Sequence, residues 1–282
     1  MTTIAEGTFV GHGGAEIFWQ RVTPADGRVR GVVLLVHGYA EHLGRYRDFV
    51  EHLAGRGLAI AALDHRGHGR SGGLRGHCLD FSELVADVHA LADLTTEWWS
   101  GAPRVLFGHS MGGLIGFLYL LRHPDTVRAA AFTAPAFRVP DAGPRSLQRI
   151  AMLLGRLAPR IRFTSKIDAS ALARDPAVGA AYVADPLVHR AATAGFFRAM
   201  RAAQAVARVE APRLKIPLLI LQGDADRVVE PAGAADIAAR LTVQHQLLML
   251  PGYFHELLNE PRDERKLVYD QLDGWFDRFL ST

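Results

Sequence analysis

Short, unbroken apolar runs alternate with longer helical patterns along most of the chain. The runs VVLLV (32–36), LAIAAL (58–63), RVLF (104–107) and AAAFT (129–133) are β-rich and show no polar alternation. A strand of that kind buries both of its faces, as in a parallel sheet covered by helices. Amphipathic spacing predicts helices over 45–56, 81–99 and 111–122. Further on, PLLILQG (217–223) and QLLML (246–250) read as strands, with helices near 231–240 and 262–280. Two early segments, near 7–12 and 15–22, predict an antiparallel hairpin at one edge. The βαβα order implies an α/β fold: a mostly parallel central sheet with helices on both faces.

The alternation stops between about Pro135 and Pro212. This stretch holds helix-like runs, no obvious central strand, and prolines at 140, 144, 159, 176 and 186. It reads as an insertion: residues 1–135 and 211–282 form the core, and 136–210 form an inserted helical cap. Within it, RSLQRIAMLLGRLAPRIR (145–162) places Leu147, Ile150, Ala151, Leu154 and Leu157 at helical spacing, flanked by Arg145, Arg149 and Arg156. An apolar stripe of this kind usually faces a core. Beside basic residues it is also a candidate for peripheral contact with a lipid surface.

Where strand 104–107 must turn into helix 111–122, the chain reads GHSMGG (108–113). Serine and glycine are poor strand and helix residues, so packing does not explain the choice. Gly108-His109-Ser110-Met111-Gly112 is G-x-S-x-G, a nucleophile elbow. It presents a serine hydroxyl above the sheet on a strained turn, and its glycines let strand and helix approach. The Met111 N–H, in the first turn of the helix, is then placed to stabilise an oxyanion.

A serine nucleophile needs a base and the base an orienting acid, in the chain order Ser, Asp or Glu, His. His255, in the loop PGYFH after QLLML, suits the base; His245 begins a strand and His109 is held in the elbow. The acid is expected after PLLILQG, in GDADRV, where Asp224 and Asp226 both qualify by spacing. The second oxyanion donor is expected in HGYAEHLGRY (37–46), with Gly38 allowing the turn and the Tyr39 N–H as candidate. Glu41 and Arg45, four residues apart, pair if that loop runs into a helix; otherwise they are two solvated charges.

Composition narrows the class. The chain has 282 residues, 49% of them apolar, enough for a sizeable core. Its one cysteine, Cys78, forms no intrachain disulfide and reads as a buried filler. The N-terminus has no signal-peptide pattern, and no apolar run nears the roughly 20 residues of a membrane span, so a cytoplasmic location is expected. The net charge of +3 is local: Arg138, Arg145, Arg149, Arg156, Arg160, Arg162 and Lys166 face only Asp141 in one stretch, and the rest is net acidic. No nucleic-acid recognition motif accompanies it. No cofactor or metal is expected, the glycines of DHRGH fitting a tight turn better than a metal site. No sequence feature speaks to oligomeric state.

Together HGYAEHLGRY, LDHRGHGRSGG (63–73), GHSMGG, ADPLVH (184–189), PLLILQGDADRVV (217–229) and PGYFHELLNEP (251–261) resemble the monoacylglycerol lipase and lysophospholipase branch of the α/β-hydrolases. They span nearly the whole chain in the family's order. The resemblance implies Ser110 as nucleophile, Asp226 as acid, His255 as base, and the Tyr39 and Met111 amides as oxyanion hole. It also implies a lid from about 136–210 over an acyl channel, and a small lipid ester as substrate. Position 39 is often small in this family, so Tyr39 is a departure that narrows the site mouth. The expected reaction is cofactor-free hydrolysis of monoacylglycerols through an acyl-enzyme. A lysophospholipase or general carboxylesterase would use the same machinery, and a non-catalytic ligand-binding member of the fold is the more distant alternative.

Overall fold

The computed structural model describes residues 2–140, 144–164 and 167–280; the side chains of Arg145 and Leu147 also lie outside the described set. The chain opens with β1 (Thr3–Val10) and β2 (Glu16–Thr23), an antiparallel hairpin whose turn uses Gly13 and Gly14 at φ +67° and +83°. That glycine turn sets the strand ends a few residues away from the expected ones, because an L side chain is strained at such φ.

The core follows the predicted alternation closely: β3 (Gly31–Val36), α1 (Arg47–Gly55), β4 (Leu58–Leu63), α2 (Phe81–Trp98), β5 (Arg104–His109), α3 (Met111–Arg122) and β6 (Ala129–Thr133). The eight-stranded sheet is completed by β9 (Leu218–Gly223) and β10 (His245–Leu250), with α7 (Pro231–Ala238) between them. Its order is β1-β2-β4-β3-β5-β6-β9-β10, and every pair from β4 to β10 is parallel. The continuous apolar runs have the expected cause. In β3, Val33 and Leu35 face one apolar layer with Phe49 and Leu53 of α1 and Phe276 of α8 (Arg262–Leu280). Leu34 and Val36 face the opposite layer with Val88 of α2 and Ile115 of α3. This is the α/β-hydrolase architecture that the resemblance implies.

Local chemistry fixes the ends of these elements. Asp80 caps α2 by accepting from the Ser82 N–H at 2.7 Å, while Glu83 accepts in return from the Asp80 N–H. Such a cap contributes about 1 kcal/mol. β5 runs two residues beyond the apolar run, because Gly108 and His109 still pair with Phe132 and Thr133 of β6.

Between β6 and β9 lie α4 (Arg145–Leu157), β7 (Arg162–Thr164), α5 (Pro176–Ala184), β8 (Ala191–Thr193) and α6 (Ala194–Glu210). None adds a strand to the central sheet; β7 and β8 form a separate antiparallel pair. No sequence pattern announces that pair, because three-residue strands are too short to carry a hydrophobic period. α6 joins this segment to the core through Phe196, Met200 and Ala203, and Gln204 donates to the Ala136 carbonyl at 2.9 Å. The segment packs differently from the expected stripe. A Cβ at Gly155 would lie 2.6 Å from the Ala194 carbonyl, so α4 meets the start of α6 through its small face. Ile150, Leu153 and Leu157 are 54, 56 and 71% exposed. Of the predicted stripe, Ala151 and Leu154 are half-buried, and the Leu147 side chain falls outside the described residues.

Candidate active site

Ser110 stands between the last residue of β5 and the first of α3, at φ +53° and ψ −118°. A non-glycine residue with positive φ is strained, and such strain persists only where the surroundings impose it. Here the Ser110 N–H donates to the Thr133 carbonyl at 3.0 Å, and its own carbonyl accepts from Ala136 at 2.9 Å. The flanking glycines are required by packing. A Cβ on Gly108 would lie 2.6 Å from the Gly112 carbonyl oxygen, and one on Gly112 would strike the Val36 and His37 carbonyls. The Met111 N–H belongs to the first turn of α3, where no intrahelical acceptor exists.

Two loops bring the remaining groups to the same end of the sheet. After β9, Asp226 directs one carboxylate oxygen at the Val228 and Val229 N–H groups (2.8 and 3.0 Å). The other accepts from Gln222 at 3.1 Å and meets His255 Nδ1 at 2.8 Å. After β10, His255 carries its ring to 4.8 Å from that of His109, the residue preceding Ser110. Asp226 and His255 are both buried. Asp224, which the sequence left as an alternative acid, is exposed and accepts instead from the Gly252 N–H at 2.7 Å. It holds the turn after β10.

The electrostatics follow from this burial. Desolvation alone would push the His255 imidazolium to a lower pKa, but the Asp226 carboxylate bound to it wins, and the His255 pKa is raised above 6.5. Burial likewise opposes the Asp226 carboxylate, and His255 outweighs it, so the Asp226 pKa is lowered. His109 is buried beside His255 and is pushed down to about 4, first by desolvation and then by its neighbour, so it stays neutral near pH 7.

On the other side of the elbow, the loop after β3 lies against the serine: a Cβ on Gly38 would be 3.2 Å from Ser110 Cβ. Glu41 and Arg45 do pair, at 2.7 Å, with Glu41 buried and Arg45 largely covered rather than two solvated charges. Tyr39 turns its side chain toward the β7–β8 segment. Its hydroxyl donates to the Ala191 carbonyl at 2.5 Å, and its ring stacks on Phe196 at 4.9 Å. Beside it, His37, His65 and His68 form a buried cluster that reaches His189. These histidines converge from three separate segments, so no local motif links them in the sequence. Among the described residues no group of His, Cys, Asp or Glu is arranged to hold a metal. Cys78 is buried, and burial pushes its thiol pKa up.

Behind the elbow a cavity of about 240 Å³ is lined by Glu41, Arg45, Tyr46, His109, Glu256 and Tyr269, among others. The arrangement as a whole supplies a strained serine, a buried neutral-or-charged histidine with its carboxylate, and a helix N-terminus. That is the equipment for acyl transfer.

The chain is similar to known proteins over most of its length. The family model described as serine aminopeptidase, S33, matches residues 27–262. The monoacylglycerol lipase of Mycolicibacterium smegmatis is 42% identical over 276 residues, covering 97% of each chain. The monoglyceride lipase of Mus musculus is 32% identical over 260 residues, 91% of this chain and 85% of that one. Among solved structures, the monoacylglycerol lipase of Paleococcus ferrophilus superposes with a TM-score of 0.82 at 29% identity, over 98% of both chains.

Proposed function

The chain belongs to the serine aminopeptidase S33 family of α/β-hydrolases, and from that premise we propose that it is a serine esterase that cleaves monoacylglycerols to fatty acid and glycerol. The substrate class rests on the relatives named above, and the chemistry on one observation: His255, bound to Asp226, packs against the ring that precedes Ser110.

Ser110 Oγ attacks the ester carbonyl while His255 takes its proton through Nε2, the nitrogen left when Nδ1 faces Asp226. The oxyanion of the tetrahedral intermediate is held by the Met111 and Tyr39 N–H groups. Collapse expels the glycerol oxygen, which takes the proton from His255, and leaves the acyl group on Ser110. Water then repeats the sequence, with His255 as base, and releases the fatty acid. Asp226 stabilises the imidazolium and fixes its tautomer without becoming protonated. Residues 136–210 act as the lid over the acyl chain, and Tyr39, bound to Ala191 and Phe196, ties the oxyanion loop to it.

The enzyme works at a lipid surface as a cytoplasmic, peripheral protein. Supporting this, α4 exposes Ile150, Leu153 and Leu157, β7 exposes Phe163, and Arg149, Arg156, Arg160 and Arg162 are exposed beside them. Basic side chains near an anionic membrane contribute about 1 kcal/mol each. No helix among the described residues is long and apolar enough to cross a bilayer.

The test is a panel of mono-, di- and triacylglycerols, lysophosphatidylcholine and short esters in matched mixed micelles, with the wild type and Ser110→Ala. Monoacylglycerols should be preferred over triacylglycerols, and Ser110→Ala should lose on the order of a million-fold in kcat. Equal rates on mono- and triacylglycerols would overturn the single-chain reading, and preference for lysophosphatidylcholine would move the substrate class. A tenth of wild-type turnover in Ser110→Ala would overturn the nucleophile.

A further inference from the structure

Glu41 is charged, almost wholly buried and has no part in the mechanism above. Its carboxylate is fully engaged. Oε1 accepts from the Gly38 N–H at 2.6 Å and from the Tyr46 hydroxyl at 2.5 Å, and Oε2 accepts from Arg45 at 2.7 Å. Arg45 then makes a two-pronged pair with Glu256, at 2.6 and 2.9 Å, and lies over the ring of Tyr182 in α5. Glu256 is the residue after His255, and its N–H donates to the Leu172 carbonyl at 2.6 Å. One buried chain of charges therefore joins the loop that offers the Tyr39 amide to the loop that carries the histidine.

Burying such a set is costly, and replacing buried ion pairs by apolar groups is often neutral or stabilising. Simple stability is thus a weak reason for it. The local geometry offers a better one. Ala40 is held at φ +66°, so the 38–41 loop is strained and needs an outside hold. Gly38 lies against Ser110, so a shift of the loop moves the oxyanion donor relative to the nucleophile.

We propose that Glu41 is a positioning residue for the acyl-transfer step: it clamps the Gly38 N–H to hold the Tyr39 peptide against Ser110 and, through Arg45 and Glu256, fixes that loop relative to His255. The inference rests on the triad reading above. The clamp also acts on charge. The groups facing His255 are Asp226 after β9, His109 on β5, Glu41 after β3 and Glu256 on its own loop, and the three carboxylates all favour the imidazolium. Burial would raise the Glu41 carboxyl, but Arg45 and neighbouring groups hold it well below the usual carboxylate range, so it stays charged.

The test uses Glu41→Ala and Glu41→Gln on a soluble p-nitrophenyl short-chain ester, with thermal melting as the measure of folding. Misplacing a catalytic group by about 1 Å costs on the order of a hundred-fold, so Glu41→Ala should lose about that in kcat with KM changed less than about threefold. Glu41→Gln keeps an acceptor for Gly38 and Tyr46 and should recover at least about ten-fold of the loss. With one negative charge gone it should also move the acid limb of kcat/KM to lower pH. A Glu41→Ala kcat within about threefold of wild type overturns the proposal, as does a Glu41→Gln profile with neither recovery nor a moved limb. If Glu41→Ala does not fold, the Glu41→Gln limb decides: a shift supports the clamp and an unmoved limb overturns it. Ser110→Ala, assayed alongside, separates this outcome from failure of the triad itself, which would show as retained hydrolysis.

Discussion

His255 Nδ1 and Asp226 Oδ2 lie 2.8 Å apart although 29 residues separate them in the chain. Each comes from a loop at the same end of the sheet, after β10 and β9, and those two strands are parallel neighbours. The remaining Asp226 oxygen is saturated by the Val228 and Val229 N–H groups. The carboxylate therefore cannot rotate away without losing buried hydrogen bonds, and the imidazole it holds has one favoured tautomer.

This geometry separates the two aspartates of GDADRV. Asp226→Asn should lower kcat by up to about ten thousand-fold, because an amide at that point favours the wrong tautomer. Asp224→Asn should cost less than about ten-fold, since it only loosens the turn at Gly252. Equal losses measured on one soluble ester would remove Asp226 from its role. In the wild type the acid limb of kcat/KM should have its midpoint above 6.5, because Asp226 raises the His255 pKa. A midpoint below 6 with chemistry limiting the rate would contradict the pair.

Acid should destabilise the fold well before its carboxylates titrate. His37, His65, His68 and His109 all have pKa values lowered, in each case by burial first. Their unfolded pKa is about 6.5, so the unfolded chain binds protons that the native state refuses. Stability that is fully present above 6.5 is then lost as pH falls toward the native values, at about 1.4 kcal/mol per pH unit for each such histidine. His255 has the opposite sign, its raised pKa adding stability below 6.5, but the lowered histidines, His189 among them, outnumber it. Urea unfolding at pH 7.5 and 5.5 should show a clear drop at the lower pH. A flat or rising stability would mean these rings are not held neutral.

Vesicle binding should follow the exposed face of α4. Leu153→Ser with Leu157→Ser should weaken binding to anionic vesicles while leaving turnover of a soluble short ester within about twofold, because these side chains are exposed. Arg149→Ala with Arg156→Ala should weaken it further and flatten its salt dependence. Absence of binding at low salt, or indifference to all four changes, would reduce the segment to a lid. The half-buried Leu154 is the poorer probe, since cutting it back also disturbs packing.

Much of this protein was legible in its sequence because the relevant signals are local. Unbroken apolar runs specify strands buried on both faces, and β3, β4 and β6 fall where those runs lie. The elbow was equally plain, since Gly108 and Gly112 are dictated by backbone atoms within one turn and its neighbouring strand. Helix rotation was not legible. The stripe on α4 has the right period, but which side is covered depends on where Gly155 meets α6, a contact between residues some forty positions apart.

Pairing was the other thing left to the tertiary structure. Spacing admitted Asp224 and Asp226 alike, and the resemblance pointed to Asp226; the hydrogen bonds then put His255 on one and Gly252 on the other. Glu41 and Arg45 read as either a pair or two solvated charges, because burial of a charge depends on what arrives from elsewhere, here Glu256, 211 residues from Arg45. Hydrophobic period is written into neighbouring residues and survives in the sequence. The partner of a buried charge is chosen only when distant segments close over it and exclude the water that would otherwise solvate it.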